Sequence, residues 1–237
     1  MDNEYLDDTK GYLNEEERLS DAWEMLVYAN MLYHRVYVFK NLEAFSKSFH
    51  VRDENGNPPS EYWEGLSYES LIDHIKICAA FENYNKAVLL ARGYVVHLIN
   101  QKKNPALAKQ QEREPVLISD FRKSNDFVRD EQSGEFYLEG FRDFMTISFA
   151  KTLSPEYQKV IGLNEQFLDY LRNMNKERNR LHFYKNYPGA FGLEIFLKAL
   201  AYAKTYGTKL LKDEIDRIVE IQKTFDNTNE WEHSPYH

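Results

Sequence analysis

Apolar and polar residues follow one another along most of the chain with the period of an amphipathic α-helix. Apolar positions recur at steps of three and four residues, which is the spacing of one helix face. This pattern predicts long helices over residues 14–49, 67–93, 154–181, 191–206 and 208–224. Gly207 lies between the last two. We therefore predict an all-α fold, a helical bundle of five to seven helices.

The middle of the chain gives a weaker pattern. Asn104 followed by Pro105 has the order expected at the start of a short helix, where asparagine caps the helix and proline occupies its first position. Residues 113–137 are interrupted by proline and glycine, and residues 135–138 fit either a short strand or the start of a helix. Helical spacing resumes over residues 140–150.

Charge is distributed unevenly along the chain. The formal net charge is −8, but residues 1–17 alone carry seven acids and one lysine, and the last 13 residues carry three acids and no base. Residues 172–186, in contrast, carry five bases and one acid. This distribution argues against a role in coating nucleic acid broadly, whereas it leaves room for a local phosphate site. We predict three regions: an acidic arm with a long helix (1–66), a helical domain (67–224) and a polar tail (225–237).

The single cysteine, Cys78, excludes an intrachain disulfide and a cysteine-based zinc site. It lies in an apolar run, which predicts a small buried hydrophobic residue. The sequence has no signal peptide and no apolar run near the roughly 20 residues needed to span a bilayer, so we expect a cytoplasmic protein without a membrane partner. No phosphate-binding glycine loop or metal-binding helix motif is present, and we predict no metal and no cofactor.

The basic segment holds the densest set of candidate catalytic groups. On a helix, Arg178 and His182 are one turn apart and can face one target. A guanidinium offers forked donors to phosphate oxygens, and an imidazole can move a proton near neutral pH. Asn179 could hold a sugar hydroxyl or orient the imidazole. The alternative is a solvated helix end, where cations favour the C-terminal end of the helix dipole.

A second segment of the sequence favours the phosphate site over the solvated helix end. Glu82 and Lys86-Ala87 are followed by aliphatic residues, then by Gly93 and His97. Together with Arg178-Asn179 and His182, this segment resembles the HEPN family (higher eukaryotes and prokaryotes nucleotide-binding domains). In that family an early helix carries an acid and Lys-Ala, and a late helix ends in Arg-Asn followed by His. The resemblance covers roughly residues 67–205.

The resemblance implies a helical homodimer that acts on RNA or nucleotides. Many HEPN domains are metal-independent endoribonucleases of bacterial defence or toxin–antitoxin systems, in which Arg and His from both protomers meet at a cleft. Arg178 would then stabilise phosphate charge, His182 would act as general acid and base, and Asn179 would support them. In one branch a partner nucleotidyltransferase silences the toxin by modifying a tyrosine at the position that Tyr184 occupies here. Further RNA- or phosphate-binding candidates are Arg172, Lys176, Arg180 and Lys185.

The spacing of the late motif keeps a second function open. The family usually has four to six residues between Arg and His, whereas three lie between Arg178 and His182. Removing one residue rotates a helical side chain by about 100°. A non-catalytic HEPN-like module that binds RNA, nucleotides or a protein such as an antitoxin is therefore the alternative. A helical protein outside the family, with the basic cluster as ordinary surface, is the third interpretation.

Overall fold

The computed structural model describes residues 12, 14–43, 54–55, 60–124, 127–129, 136–138, 140–180 and 193–232. These residues form nine helices and four short strands. In chain order they are α1 (Glu15–His34), α2 (Tyr37–Lys40), α3 (Ser60–Ala91), β1 (His97–Ile99), α4 (Pro105–Gln111), α5 (Ile118–Ser124), β2 (Phe127–Arg129), β3 (Phe136–Leu138), β4 (Phe141–Thr146), α6 (Phe149–Thr152), α7 (Pro155–Ile161), α8 (Glu165–Arg180) and α9 (Leu193–Glu232).

The predicted all-α class is confirmed, because helices make up most of the described chain. The nine described helices exceed the predicted five to seven, since five of them have only four to seven residues, too few to show a clear period. The helix start predicted at Asn104-Pro105 is confirmed, and the Asn104 side chain accepts a hydrogen bond from the Leu107 amide. No helix among the described residues is long and apolar enough to cross a bilayer.

The helix predicted over residues 14–49 ends earlier than its apolar pattern indicates. Helix α1 stops at His34, and a separate helix α2 begins at Tyr37. The Asp73 carboxylate accepts hydrogen bonds from the amides of Tyr37 and Val38, at 2.8 Å each. These amides start α2 and would otherwise lack acceptors, so Asp73 stabilises the new helix start from a distant part of the sequence.

The single helix predicted over residues 154–181 is two helices. Helix α7 ends at Ile161 and is capped by Gly162, which adopts a left-handed conformation with φ of 81°. Its amide bonds to the Gln158 carbonyl at 2.9 Å. Helix α8 then begins after Asn164, whose side chain accepts from the Phe167 amide at 2.8 Å. A glycine end followed by an asparagine cap therefore separates α7 from α8.

The break predicted at Gly207 is wrong, because α9 continues through this residue. A Cβ atom at Gly207 would overlap the Tyr33 hydroxyl, and would lie 2.7 Å from Tyr33 Cζ and 3.0 Å from Phe81 Cζ. The glycine thus permits close packing against two aromatic rings inside a continuous helix.

The helix predicted over residues 140–150 is wrong for most of its length. Residues Phe141–Thr146 form strand β4, which pairs antiparallel with β1 so that His97 lies opposite Thr146. Strand β2 pairs in the same sense with β3, and β3 corresponds to the strand considered for residues 135–138. Pairing with a distant strand decides the structure here, and local helical spacing does not report it.

The chain divides into two compact units. The first unit contains residues 1–27, 83–162 and 213–237, and the second contains residues 28–82 and 163–212. Residues 66 and 67, between which a domain boundary was expected, both lie in α3, and residues 224 and 225 both lie in α9.

The core of the first unit surrounds strand β1. The Tyr12 hydroxyl accepts from the amides of Val96 and His97, at 3.1 and 3.2 Å, and its ring packs on Phe141. The Gln111 side chain donates to the His97 carbonyl at 2.7 Å and accepts from the Ile99 amide at 2.9 Å. Buried side-chain hydrogen bonds therefore complete the edge of this small sheet.

The core of the second unit is aromatic. The Phe81 ring lies edge-on to the rings of Tyr33 and Phe167, with centroids 5.3 and 4.8 Å apart. The Tyr33 hydroxyl donates to the Ala203 carbonyl at 2.5 Å. Burial raises the pKa of Tyr33 well above its usual range, so this hydroxyl keeps its proton and stays a donor.

Candidate functional site

Helix α8 positions Arg178 at the end of its buried face. The buried positions of this helix recur at three- and four-residue steps: Phe167, Leu168, Leu171, Met174 and Asn175. Arg178 follows Asn175 by three residues, so it continues this face, and its side chain is 29% exposed. The guanidinium therefore projects from a fixed, packed face and not from the outer surface of the helix.

Arg178 is paired with Glu82 of α3. Its Nη1 atom lies 3.6 Å from Glu82 Oε2, and the Glu82 side chain is 25% exposed. Both residues belong to the second unit. The structure thus brings together one residue from each of the two sequence segments that carry the HEPN resemblance. A guanidinium presents five N–H donors, so its chemistry allows it to hold a carboxylate and a phosphate together.

A buried thiol lies one helical turn before Glu82. Cys78 is fully buried, as predicted for a small hydrophobic residue. Burial raises the pKa of Cys78 to about 12, while the Arg178 charge lowers this pKa and the Glu82 charge raises it. Desolvation outweighs the nearby guanidinium, so the sulfur is a neutral thiol at physiological pH and not a nucleophilic thiolate.

Two buried polar atoms lie on the α8 side of this region. Asn175 Oδ1 and the Tyr170 hydroxyl have no hydrogen-bond partner among the described residues. Burial raises the pKa of Tyr170, and its electrostatic interaction with Cys78 and Asp73 raises it further. Both groups are neutral at physiological pH, and each costs free energy while its hydrogen-bonding capacity is unused.

Three other predicted residues lie on the outer side of α8. Arg172, Lys176 and Asn179 are separated by four and three residues, so they share a face. Lys176 and Asn179 are exposed, and Arg172 pairs with Asp169 at 3.0 Å and Glu165 at 3.8 Å. The predicted site residues of α8 are therefore divided between an inner position, held by Arg178, and an outer face.

The remaining residues predicted at the end of this segment are outside the described part of the site. His182, Tyr184 and Lys185 lie outside the described residues, as does the side chain of Arg180. Their roles stay predictions.

Lys86 and His97 take part in partly buried hydrogen bonds in the first unit. Lys86 Nζ donates to Thr146 Oγ1 at 2.8 Å, and His97 Nδ1 lies 2.8 Å from the Tyr12 hydroxyl. Burial, and then the Lys86 charge, lower the pKa of His97 to about 4. The imidazole is therefore neutral at physiological pH, where it serves as a hydrogen-bonding group.

A further basic segment was missed by the sequence analysis. Residues 195–212 of α9 carry four lysines and no acid, and Asp213 and Glu214 follow directly. This segment could have been found from the sequence by counting charges over the predicted helix, as was done for residues 172–186. Among the described residues, no group of three or more His, Cys, Asp or Glu side chains is arranged to hold a metal ion.

Comparison of the chain with family models, with curated proteins and with solved structures finds no match.

Proposed function

We propose that this chain is a HEPN-like protein directed at RNA, and that it cleaves RNA without a metal ion. The observation that supports the proposal most is the Arg178–Glu82 pair, because it joins the two segments whose residues resemble the family. Arg178 extends from a packed helix face, which limits the number of positions that its guanidinium can occupy. A guanidinium fixed in this way suits the recognition of one phosphate group.

In the proposed reaction the 2′-oxygen of a ribose bonds to the adjacent phosphorus, and the bond from phosphorus to the 5′-oxygen breaks. His182 takes the proton from the 2′-hydroxyl, and an imidazolium returns a proton to the 5′-oxygen. Arg178 stabilises the charge that develops on the phosphate oxygens. The products are a 2′,3′-cyclic phosphate and a 5′-hydroxyl. A homodimer would supply two copies of these groups.

The test is cleavage of a single-stranded RNA by the purified protein with a chelator present. We expect cleavage to be lost in Arg178→Ala and in His182→Ala, each by about a hundredfold or more. Exposed Arg113 and exposed His34 supply matched controls, and their alanine variants should cleave at the unchanged rate. Circular dichroism establishes that each variant is folded.

The chemistry of the substrate gives an independent check. An RNA whose 2′-hydroxyl groups are methylated should bind and not be cut, because the nucleophile is blocked. Unchanged cleavage by both the Arg178→Ala and His182→Ala proteins would exclude the proposed mechanism. Cleavage that requires magnesium would exclude it as well.

A non-catalytic binding module is the second candidate, and the same ion pair favours it. The Glu82 carboxylate offsets the charge of Arg178, which lessens the stabilisation that the guanidinium can give to charge developing on a phosphate during cleavage. RNA or nucleotide binding without cleavage would support this function. Binding of a protein alone, such as an antitoxin or a nucleotidyltransferase that modifies Tyr184, would support a regulatory form of it.

A further inference from the structure

We infer that Asn175 is a positioning residue for Arg178: its buried side-chain oxygen accepts a hydrogen bond from the guanidinium when Arg178 turns from Glu82 toward a phosphate of the RNA. The inference rests on the proposed function, because it names a residue that supports the proposed phosphate-binding group. It assigns to Asn175 no direct contact with RNA.

Asn175 is a polar residue on an otherwise apolar, buried helix face. It is 8% exposed, and the other buried positions of α8 are Phe167, Leu168, Leu171 and Met174. Its Oδ1 atom is buried and accepts no hydrogen bond from any described residue. Because an unused buried acceptor costs free energy, an apolar side chain of the same size would stabilise the fold more. Folding alone therefore does not account for an asparagine at this position.

Helical spacing identifies Arg178 as a donor within reach of this acceptor. Side chains three residues apart on a helix are neighbours, with Cβ atoms about 5–6 Å apart. Asn175 and Arg178 have this spacing, and both lie on the inner face of α8. A guanidinium carries five N–H donors, more than a single carboxylate can engage at once. RNA cannot contact an atom that is buried in this way, so Asn175 acts through Arg178.

The contact between Arg178 and Glu82 is an ion pair that the guanidinium can leave. Arg178 Nη1 and Glu82 Oε2 are 3.6 Å apart, which is longer than the roughly 2.8 Å of a charge-assisted hydrogen bond. A phosphate that enters the site competes with the carboxylate for the same donors. The amide oxygen of Asn175 is uncharged, so it orients the guanidinium without offsetting the charge that attracts the phosphate.

Tyr170 provides a comparison within the same helix. Its hydroxyl is the second buried polar atom of α8 for which the described part of the chain offers no hydrogen-bond partner. Tyr170 and Asn175 are five residues apart and point about 140° apart around the helix axis, so the two groups do not satisfy one another. Burial, and then the interaction with Cys78 and Asp73, raise the pKa of Tyr170, so its hydroxyl faces those groups. Removal of this hydroxyl should therefore leave Arg178 unaffected.

The first test compares stability with cleavage. Leucine has almost the size and shape of asparagine, so Asn175→Leu removes the acceptor and little else. We expect its melting temperature to rise by about 2–4 °C, because the unused polar group is gone. We expect kcat/KM for RNA cleavage to fall about tenfold, because Arg178 loses a charge-assisted hydrogen bond in the RNA complex. Asn175→Ala adds no bulk and should lose the same activity.

Two variants of the same helix serve as controls. Asn173 is exposed on α8, so Asn173→Leu should keep the parent rate of cleavage. Tyr170→Phe removes the other unused polar atom. It should raise the melting temperature as Asn175→Leu does, and it should keep the parent rate. Equal loss of cleavage in Tyr170→Phe and Asn175→Leu would overturn the inference, because such a loss would follow from stability and not from position.

The second test asks whether Asn175 acts through Arg178. Binding of a fluorescent RNA with methylated 2′-hydroxyl groups is measured by anisotropy for the parent, for each single variant and for the double variant. Asn175→Leu should weaken binding about tenfold in the parent protein, and by less than about twofold in the Arg178→Ala protein. A residue with a merely structural role would weaken binding equally in both proteins.

The inference is overturned if Asn175→Leu cleaves RNA at the parent rate, or if it weakens binding equally with and without Arg178. It is also overturned if this variant unfolds more easily than the parent, as it would where water already satisfies the amide. Cleavage that depends on Arg178 and His182, with no effect of Asn175→Leu, removes only this inference. Binding without cleavage removes only the nuclease, since the coupling is still measured on methylated RNA. A parent protein that neither binds nor cleaves RNA removes both.

Discussion

Replacing Gly207 with alanine should destabilise the protein, although the same change stabilises an ordinary helix. In an exposed helix interior, alanine is favoured over glycine by about 1 kcal/mol. Gly207 is instead buried in α9, where a new Cβ would overlap the Tyr33 hydroxyl and lie 2.7 Å from Tyr33 Cζ. It would also lie 3.0 Å from Phe81 Cζ. These atoms belong to packed rings, which cannot move aside as the end of a flexible side chain can.

The magnitude follows from two opposing terms. Overfilling a well-packed core typically costs about 1–3 kcal/mol, and overlap with two buried rings places this site toward the upper end of that range. The gain in helix propensity offsets about 1 kcal/mol of the cost. We expect a net loss of about 1–2 kcal/mol, which lowers the melting temperature by about 2–8 °C for a protein of this size.

The assay is urea and thermal unfolding followed by circular dichroism. Ala201 is exposed on the same helix, so Ala201→Gly reports the propensity difference in this helix without a packing change. Tyr33→Phe removes the hydroxyl that the new Cβ would overlap. It should therefore destabilise the parent protein, which loses the hydrogen bond to Ala203, more than it destabilises the Gly207→Ala protein. A Gly207→Ala protein more stable than the parent would refute the packing argument.

Three further predictions concern ionisable side chains that are buried or paired. A double-mutant cycle of Glu82→Gln and Arg178→Gln should give a coupling of about 0.5–1 kcal/mol in unfolding free energy, since the two side chains are only partly buried. Cys78 should react with a disulfide reagent at pH 8 far more slowly in the folded protein than in urea, because its thiol is buried and its pKa is raised to about 12. Because the pKa of His97 is lowered to about 4, the unfolded chain binds a proton that the folded protein does not, and stability should fall between pH 6.5 and 4 by up to about 3 kcal/mol. His97→Gln should flatten this fall, and His34→Gln, at an exposed histidine, should not.

For each of these three predictions, a specific result would contradict it. A coupling of zero would mean that the Glu82–Arg178 contact contributes nothing to folding. Equal labelling rates of Cys78 in the folded and unfolded protein would contradict its burial. A His97→Gln protein whose stability still falls with acid as steeply as the parent's would assign that pH dependence to other groups.

The helical class could be predicted from sequence because it depends on local spacing, whereas several element ends could not. The division between α1 and α2 depends on Asp73, which is remote in sequence from the amides that it caps. Strand β4 depends on its pairing with β1. The continuity of α9 depends on the rings packed against Gly207, and no local pattern reports such contacts.

In the candidate site, too, some features follow from the local sequence and others depend on contacts between distant residues. The choice of Arg178 and Glu82 came from short motifs, and their contact is a product of packing between α3 and α8. The spacing of Arg172, Lys176 and Asn179 along the sequence is itself enough to imply that they share a helix face.

Tyr12 has a practical consequence for work with this protein. The acidic residues that precede it make the N-terminus an obvious place to shorten the chain for expression or crystallisation. The Tyr12 ring is nevertheless part of the core, and its hydroxyl accepts from the amides of Val96 and His97. A truncation that keeps residue 12 should preserve this packing. One that begins at Glu15 would leave two backbone donors beside an open cavity, so the trimmed protein would be less stable than the full chain.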